Sequence, residues 1–513
     1  GEPQPLFGVP FAIKDNLDLA GVPTTAGCPA FSYRPERDAA AVARLIAAGA
    51  VPVGKTNLDQ FATGLVGTRS PHGPGPCAFD ARYVSGGSSS GSALAVAHGL
   101  ASFALGTDTA GSGRVPAAFN DLVGLKPTRG VVSTRGAVPA CRSLDCVSVF
   151  AETVADAEAV FEVMAAFDAE DPFSRERPPQ LPAPVRRVGV PSSLEFFGNA
   201  EYARLFAAAV ARVERLGVAT VPVDLEPFLE AAKLLYGGPW IAERYAAVGA
   251  FIAAHPEATH PVVRELVLGG RQVSGADVFA GSYRLAELRR ATEPVWEAID
   301  ALLLPTAGTH YTIEAVLAEP LELNARLGRY TNFVNLLDLA GIAVPAGFTR
   351  EGLPFGITLL GPAFSDQRLS RFAARFEASR APEEVLLAVA GAHLSGLPLH
   401  HQLSSRGARL VQTTKTSPGY RFYALAGTTP PKPGLVRSPG FAGPGIQVEV
   451  WALEREAFGS FVAEVPPPMA IGSVELADGS VVKGFLCESH ALAQSPEITE
   501  FGGFRAYLAR QST

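Results

Sequence analysis

The stretch VSGGSSSGSALAVAHGLASFALGTDTAGSGRVP, residues Val84 to Pro116, decides how the rest of the chain is read. It sets two Gly/Ser turns, Ser85 to Gly91 and Asp108 to Arg114, around an apolar segment that predicts a helix over Ala93 to Phe103 and a short strand over Ala104 to Gly106. Glycine opens backbone conformations closed to other residues and lets a ligand approach the main chain closely, so two such turns flanking a helix point to a built cavity. Serines in such a cavity are candidate nucleophiles.

Taken alone, the turns admit several readings. Gly106 to Gly111 has P-loop spacing but lacks the Lys-Ser/Thr that should follow, and no dinucleotide pattern with its acidic partner accompanies it. A flexible linker over residues 85–92 conflicts with the apolar structure expected on both sides. Gly87-Ser88-Ser89-Ser90-Gly91 formally satisfies a nucleophile elbow with Ser89 as nucleophile, yet Phe79 to Val84 makes a poor core strand to precede it. A non-catalytic protein that binds small anions on the same turns is a reading from a different class.

Working outward, Phe7 to Ile13 reads as a buried strand ending at Lys14-Asp15-Asn16. Lys14 is either a solvated strand-end charge or a lysine drawn inside, where desolvation lowers its pKa and fits it to act as a base. Ala39 to Ala50 predicts an amphipathic helix, Val51 to Gly54 a strand, and Leu58 to Val66 a second helix. Thr153 with Asp156 resembles a capping box opening a helix to about Met164, whose buried face is Val154, Ala157, Val160, Phe161 and Met164. Strand, helix and strand over Arg187–Val190, Glu201–Arg215 and Ala219–Val223 favour a mostly parallel sheet. Ile299–Pro305 and Gly341–Pro345 are two further strands of that sheet, each stopped by proline. A linker is expected over Glu377 to Pro382. Beyond it Arg409–Thr413, Tyr420–Ala424, Gln447–Trp451 and Gly472–Leu476, the last with a turn at Ala477–Ser480, predict a second, strand-rich domain.

The chain's 513 residues exceed the size at which single cores stop growing, so two or more domains are expected. With 47% hydrophobic and 18% charged residues the composition is that of a packed globular protein. A net charge of -7 without a basic block gives no support to a nucleic-acid or anionic-membrane partner and leaves a small molecule as the expected ligand. Five cysteines (Cys28, Cys77, Cys141, Cys146, Cys487) make no disulfide framework, which points to a reducing compartment, the cytoplasm by default. Cys141 and Cys146, the one close pair, have no His or further Cys beside them and read as loop or core thiols, so no metal and no cofactor is expected.

Gly86–Ser92 followed by Gly106–Pro116 resembles the amidase signature family in order and spacing, and Gly8-Val9-Pro10-Phe11-Ala12-Ile13-Lys14-Asp15-Asn16 is similar to its lysine segment. The resemblance implies an α/β amidase-signature fold, a mostly parallel mixed sheet covered by helices, and a triad in which Lys14 is the base, Ser88 a relay after a cis peptide, and Ser112 the nucleophile. It also implies an oxyanion hole from the N–H groups of Thr109, Ala110, Gly111 and Ser112. Most members carry an aliphatic residue after the nucleophile; Gly113 here is expected to leave room beside Ser112 and resembles the allophanate hydrolase branch.

Leu235 to Tyr245 looks like that branch's substrate segment, with Tyr236 and Arg244 holding a substrate carboxylate and Arg114 a further candidate. Val389–Leu399 and Phe501–Leu508 resemble its C-terminal domain, related in fold to γ-glutamylcyclotransferases, with His393 the candidate there and His490 a weaker one. The implied organisation is an amidase domain over residues 1–380, its N-terminal helical segment expected to be missing, and a C-terminal domain over 387–513. The implied activity is release of ammonia from a small anionic amide, allophanate, without a cofactor, in a homodimer. No biotin-attachment Ala-Met-Lys-Met occurs, so a urea carboxylase would be a separate chain. A general amidase or a glutamine-hydrolysing amidotransferase component is the alternative.

Overall fold

Lys14 is the last residue of a strand and not the first residue after one, so it stands at that strand's C-terminal end, inside the sheet. In the computed structural model, which describes residues 4–179, 183–379 and 384–511, the contacts divide the chain into two units, Gly1–Arg380 and Ala381–Thr513. Part of the expected linker, residues 380–382, lies outside the described residues.

The first unit is built on ten strands: β1 (Pro10–Lys14), β2 (Val51–Thr56), β3 (Phe103–Asp108), β4 (Val123–Lys126), β5 (Cys146–Ala151), β6 (Arg187–Pro191), β7 (Ala219–Val223), β8 (Ala301–Pro305), β9 (Ala340–Phe348) and β10 (Pro354–Gly361). They form one sheet in the order β2-β1-β3-β5-β4-β9-β10-β8-β6-β7. The sheet is mixed, but its parallel share is smaller than expected. Parallel pairs join β2-β1-β3 and β8-β6-β7 on the flanks, while every pair from β3 to β8 through the centre is antiparallel. Strand–helix–strand units were the legible ones, and they supply only the flanks. β9 also passes through Pro345 to Phe348, because the register shifts between Phe355 and Gly356 of β10 and so accommodates the proline opposite.

Helices α1 (Ala40–Ala47), α2 (Ser90–Ala97), α3 (Val115–Phe119), α4 (Val154–Met164), α5 (Ala200–Arg215) and α6 (Glu226–Gly237) pack around this sheet, and α7 (Trp240–Ala254) packs outside it against α6. Thr153 accepts from the Asp156 N–H at the start of α4, and the five residues expected on its buried face are the five that are buried. α2 begins at Ser90 and stops at Ala97, shorter and earlier than expected, because Gly99 turns left-handed (φ 66°) and Phe103 is already in β3.

The helix expected over Leu58–Val66 is absent. Asp59 instead gathers the N–H groups of Val66 (3.3 Å), Gly67 (3.0 Å) and Arg69 (2.8 Å), wrapping the segment into a loop around its own carboxylate. Phe61 and Ala62 sit there at φ 51° and 53°, and the apolar residues Leu58, Leu65 and Val66 are buried without a helix.

In the second unit, β11 (Glu384–Val389), β12 (Arg409–Lys415), β15 (Gln447–Glu454), β16 (Met469–Glu475) and β17 (Val481–Cys487) make a sheet ordered β12-β15-β11-β17-β16. β13 (Tyr420–Ala424) and β14 (Pro433–Arg437) pair separately, and β16 and β17 close the expected hairpin with Glu475 opposite Val481. Among the described residues no helix is long and apolar enough to cross a membrane.

Candidate active site

β1 and β3 run parallel, so their C-terminal ends, Lys14 and Asp108, come out on the same side of the sheet, where open parallel sheets present their crevices. The Lys14 side chain is fully buried, and its Nζ lies 2.8 Å from both Ser88 Oγ and Thr107 Oγ1. Asn16 Nδ2 also donates to Thr107 Oγ1, at 3.2 Å. Burial pulls the Lys14 pKa down to about 7, against the opposing pull of the carboxylates of Asp59, Asp145 and Asp108. A lysine with this pKa is half neutral near neutrality and can accept a proton.

The Gly87–Ser88 peptide is cis, as the resemblance implies. It rests on the Asp59 loop: the Asp59 N–H donates to Ser88 O at 3.0 Å, and a Cβ on Gly87 would stand 2.2 Å from Asp59 Oδ2. Ser89 is fully buried and donates to Thr107 O at 3.2 Å, which occupies its hydroxyl at the start of α2 and removes it as the elbow nucleophile. The first turn packs on the start of α3, directly after the second turn, since a Cβ on Gly86 would stand 3.0 Å from Pro116 Cα.

Asp108 shapes the second turn. Its carboxylate accepts from the N–H of Gly111 (2.8 Å) and Gly113 (3.0 Å) and from Nε (2.9 Å) and Nη2 (3.0 Å) of Arg114. Burial opposes ionisation of Asp108, but Arg114, Lys126 and the Gly111 N–H outweigh it and hold the carboxyl below the usual range. Two expectations change here. Arg114 is completely buried, with Nε and Nη2 on the Asp108 carboxylate and Nη2 also on Thr331 O, so two of its three guanidinium nitrogens brace the turn. The Gly111 N–H is spent on Asp108, which leaves Thr109, Ala110 and Ser112 as the expected oxyanion donors whose N–H finds no acceptor among the described residues.

Gly113 does not leave room beside Ser112. A Cβ there would stand 2.5 Å from both Cβ and Oγ of Ser148 on β5, so the glycine lets β5 close against the turn. Gly113→Ala is expected to destabilise the first unit by about 1–3 kcal/mol, because β5 or the turn must move. Urea unfolding checks this, and an unchanged midpoint would contradict the close packing.

The candidate anion contacts come together on α6 and α7. Arg244 is buried, with Nη2 3.3 Å from Tyr236 Oη and Nη1 3.0 Å from Thr63 Oγ1 of the Asp59 loop. Its guanidinium also lies 5.2 Å from the Tyr236 ring centroid. Its charge reaches Asp145, which burial pushes up to about 6 and which accepts from Thr109 Oγ1 of the second turn.

Asp59, Asp108, Asp145 and Thr107 were all missed as organisers of the site. Asp108 alone had a local signal, a carboxylate opening a Gly-rich turn, whereas the others act through contacts across the sequence.

In the second unit His393 lines a cavity of about 180 Å³ together with Gln402, Phe422, Lys432, Phe461 and Phe485. Its Nε2 is 2.8 Å from Gln402 Oε1, its ring stacks on Phe485 at 4.9 Å, and burial pulls its pKa down. His490 is 71% exposed beside Glu488 and does not line this cavity.

The amidase family description matches residues 1–369, and that of the allophanate hydrolase C-terminal domain matches residues 385–509. The chain is 45% identical to the urea amidolyase of Saccharomyces cerevisiae over 99% of its own length but spans only 30% of that relative. It is 46% identical over 98% of its length to the urea amidolyase of Lachancea kluyveri, of which it likewise spans 30%. A glutamyl-tRNA(Gln) amidotransferase chain from Acidobacterium capsulatum is 37% identical over 72% of this chain, which covers 84% of that relative. The crystal structure of selenomethionine-substituted Kluyveromyces lactis allophanate hydrolase is similar at 46% identity and a TM-score of 0.71, covering 99% of this chain and 89% of that one. With the signature turns, the lysine strand and the second unit all accounted for, the chain belongs to the amidase family.

Proposed function

We propose that this chain hydrolyses allophanate, urea-1-carboxylate, to release ammonia. The observation that carries the chemistry is the buried Lys14–Ser88 hydrogen bond of 2.8 Å beside the nucleophile turn. Neutral Lys14 accepts the Ser88 proton while Ser88 takes that of Ser112, whose Oγ attacks the terminal amide carbonyl. The N–H groups of Thr109, Ala110 and Ser112 meet the developing oxyanion, where one such donor is worth about 3 kcal/mol. The relay returns a proton to the departing ammonia, and water then releases the acyl group from Ser112.

The Tyr236–Arg244 pair supports an anionic substrate, because a planar guanidinium fork matches a carboxylate. The similarity over both units to the K. lactis allophanate hydrolase supports the same choice. The product is a dicarboxylated amine that loses carbon dioxide on protonation of its nitrogen, a step we assign to the second unit with His393 as the candidate. Allophanate is the carboxylation product of urea, so a urea carboxylase is the expected partner activity. A homodimer is the expected assembly and the cytoplasm the expected compartment.

Ammonia release from allophanate and from a neutral primary amide tests the substrate. Allophanate is expected to be preferred, and Arg244→Gln to raise its KM by about 10²-fold while sparing the neutral amide. Wild-type preference for the neutral amide would defeat the claim, and activity requiring a partner protein would favour an amidotransferase component. Labelling by a serine-directed phosphonate is expected at Ser112. Labelling at Ser89 would point to the elbow, and ligand binding without labelling to a non-catalytic anion binder.

A further inference from the structure

Residues 140–145 form a short loop between the nucleophile turn and α7, tied at both ends. On one side Asp145 accepts from Thr109 Oγ1 and holds the loop's own Ala140 and Cys141 N–H groups at 2.9 and 3.2 Å. Asn335 Nδ2 adds a second tie there, donating to Asp108 O at 2.7 Å and to Leu144 O at 2.8 Å. Cys141 and Leu144 share one apolar cluster with Ala110 of the turn. On the other side both oxygens of Glu243 are taken by Ser143, from its N–H at 2.7 Å and its Oγ at 2.8 Å, and Cys141 Sγ lies 3.6 Å from Trp240 O.

We propose that this loop is a strap that fixes the distance between the anion-binding Arg244 and the nucleophile Ser112, and that Glu243 is the positioning residue that makes the enzyme selective for anionic amides. The proposal rests on the reading of Arg244 given above. Glu243 immediately precedes Arg244 on α7, so a carboxylate clamped on Ser143 sets the height and rotation of the helix turn from which Arg244 projects. The Arg244 guanidinium itself is held from elsewhere, by Thr63 and Tyr236. The strap is therefore the short path by which the anchor and the turn hold a common frame. A small substrate is gripped at one end and cut at the other, so an error of about 1 Å in that span costs about 10²-fold. A neutral amide that makes no use of Arg244 is indifferent to it.

The test compares Glu243→Ala with Glu243→Gln, using allophanate and a neutral primary amide. Glutamine keeps an oxygen for the Ser143 N–H and offers an N–H to Ser143 Oγ, so both ties survive, whereas alanine removes both. Glu243→Ala is expected to raise KM for allophanate about tenfold or more and leave kcat/KM for the neutral amide within about twofold, with Glu243→Gln near wild type. Equal losses on both substrates, no loss on either, or a glutamine variant as impaired as alanine would overturn the strap. Should the alanine variant not fold, Ser143→Ala removes one tie, and an increase in KM of about threefold for allophanate alone is expected; no increase overturns the proposal. Wild-type enzyme without preference for allophanate would defeat the reading of Arg244 and the strap together. Wild-type preference with unresponsive variants would defeat the strap alone.

Discussion

Ser112→Ala is expected to lower ammonia release by about 10⁴-fold or more while the protein stays folded. The size follows from what the residue would do: without a nucleophile no acyl intermediate forms, and the remaining N–H groups only polarise a carbonyl that water must attack unaided. The fold should survive because the turn is held by Asp108 through the N–H groups of Gly111 and Gly113 and through Arg114, none of which involves the Ser112 hydroxyl. Ser89→Ala is the informative control. It removes a hydrogen bond to Thr107 O at the start of α2, so a modest stability loss and activity within about tenfold of wild type are expected. Steady-state ammonia release and thermal unfolding of both variants check this. Retained turnover in Ser112→Ala would transfer the nucleophile elsewhere.

What was legible in the sequence follows the range of the forces involved. α4 was readable residue by residue because a cap and a 3.6-residue apolar rhythm are local properties. β7 and β13 were equally plain, being short β-branched or aromatic runs closed by turn signals. The Leu58–Val66 segment misled because its apolar spacing is genuine, yet the decisive interaction is one carboxylate, Asp59, collecting N–H groups up to ten residues away. Gly113 misled for a related reason. A missing side chain reads as empty space, but whether a glycine opens a cavity or admits a neighbour depends on the opposing strand, and Ser148 fills the gap. Arg114 likewise had the right chemistry for an anion, and the anion it meets is Asp108 of its own turn.

Lys14→Ala is expected to reduce turnover by about 10³-fold or more, and the pH dependence separates its proposed role as base from mere support of the turn. A lysine ordinarily titrates near 10.4, so an unperturbed ammonium would be protonated and useless as a base at neutrality. Desolvation brings Lys14 down to about 7. The neutral, competent fraction is then about one tenth at pH 6 and about nine tenths at pH 8, and kcat/KM should rise about tenfold per pH unit below 7 and level off above it. The sign of the stability effect is fixed by the same shift. Between pH 7 and 10 the unfolded chain binds this proton and the folded chain does not, so Lys14's contribution to stability rises with pH across that window. Arginine at this position stays charged throughout, so Lys14→Arg should be as inactive as alanine at every pH, although it keeps a cation near Ser88. A Lys14→Arg enzyme with substantial activity, or a wild-type profile flat from pH 6 to 8, would mean that the lysine supplies charge instead of accepting a proton. The relay through Ser88 would then have no base at its end.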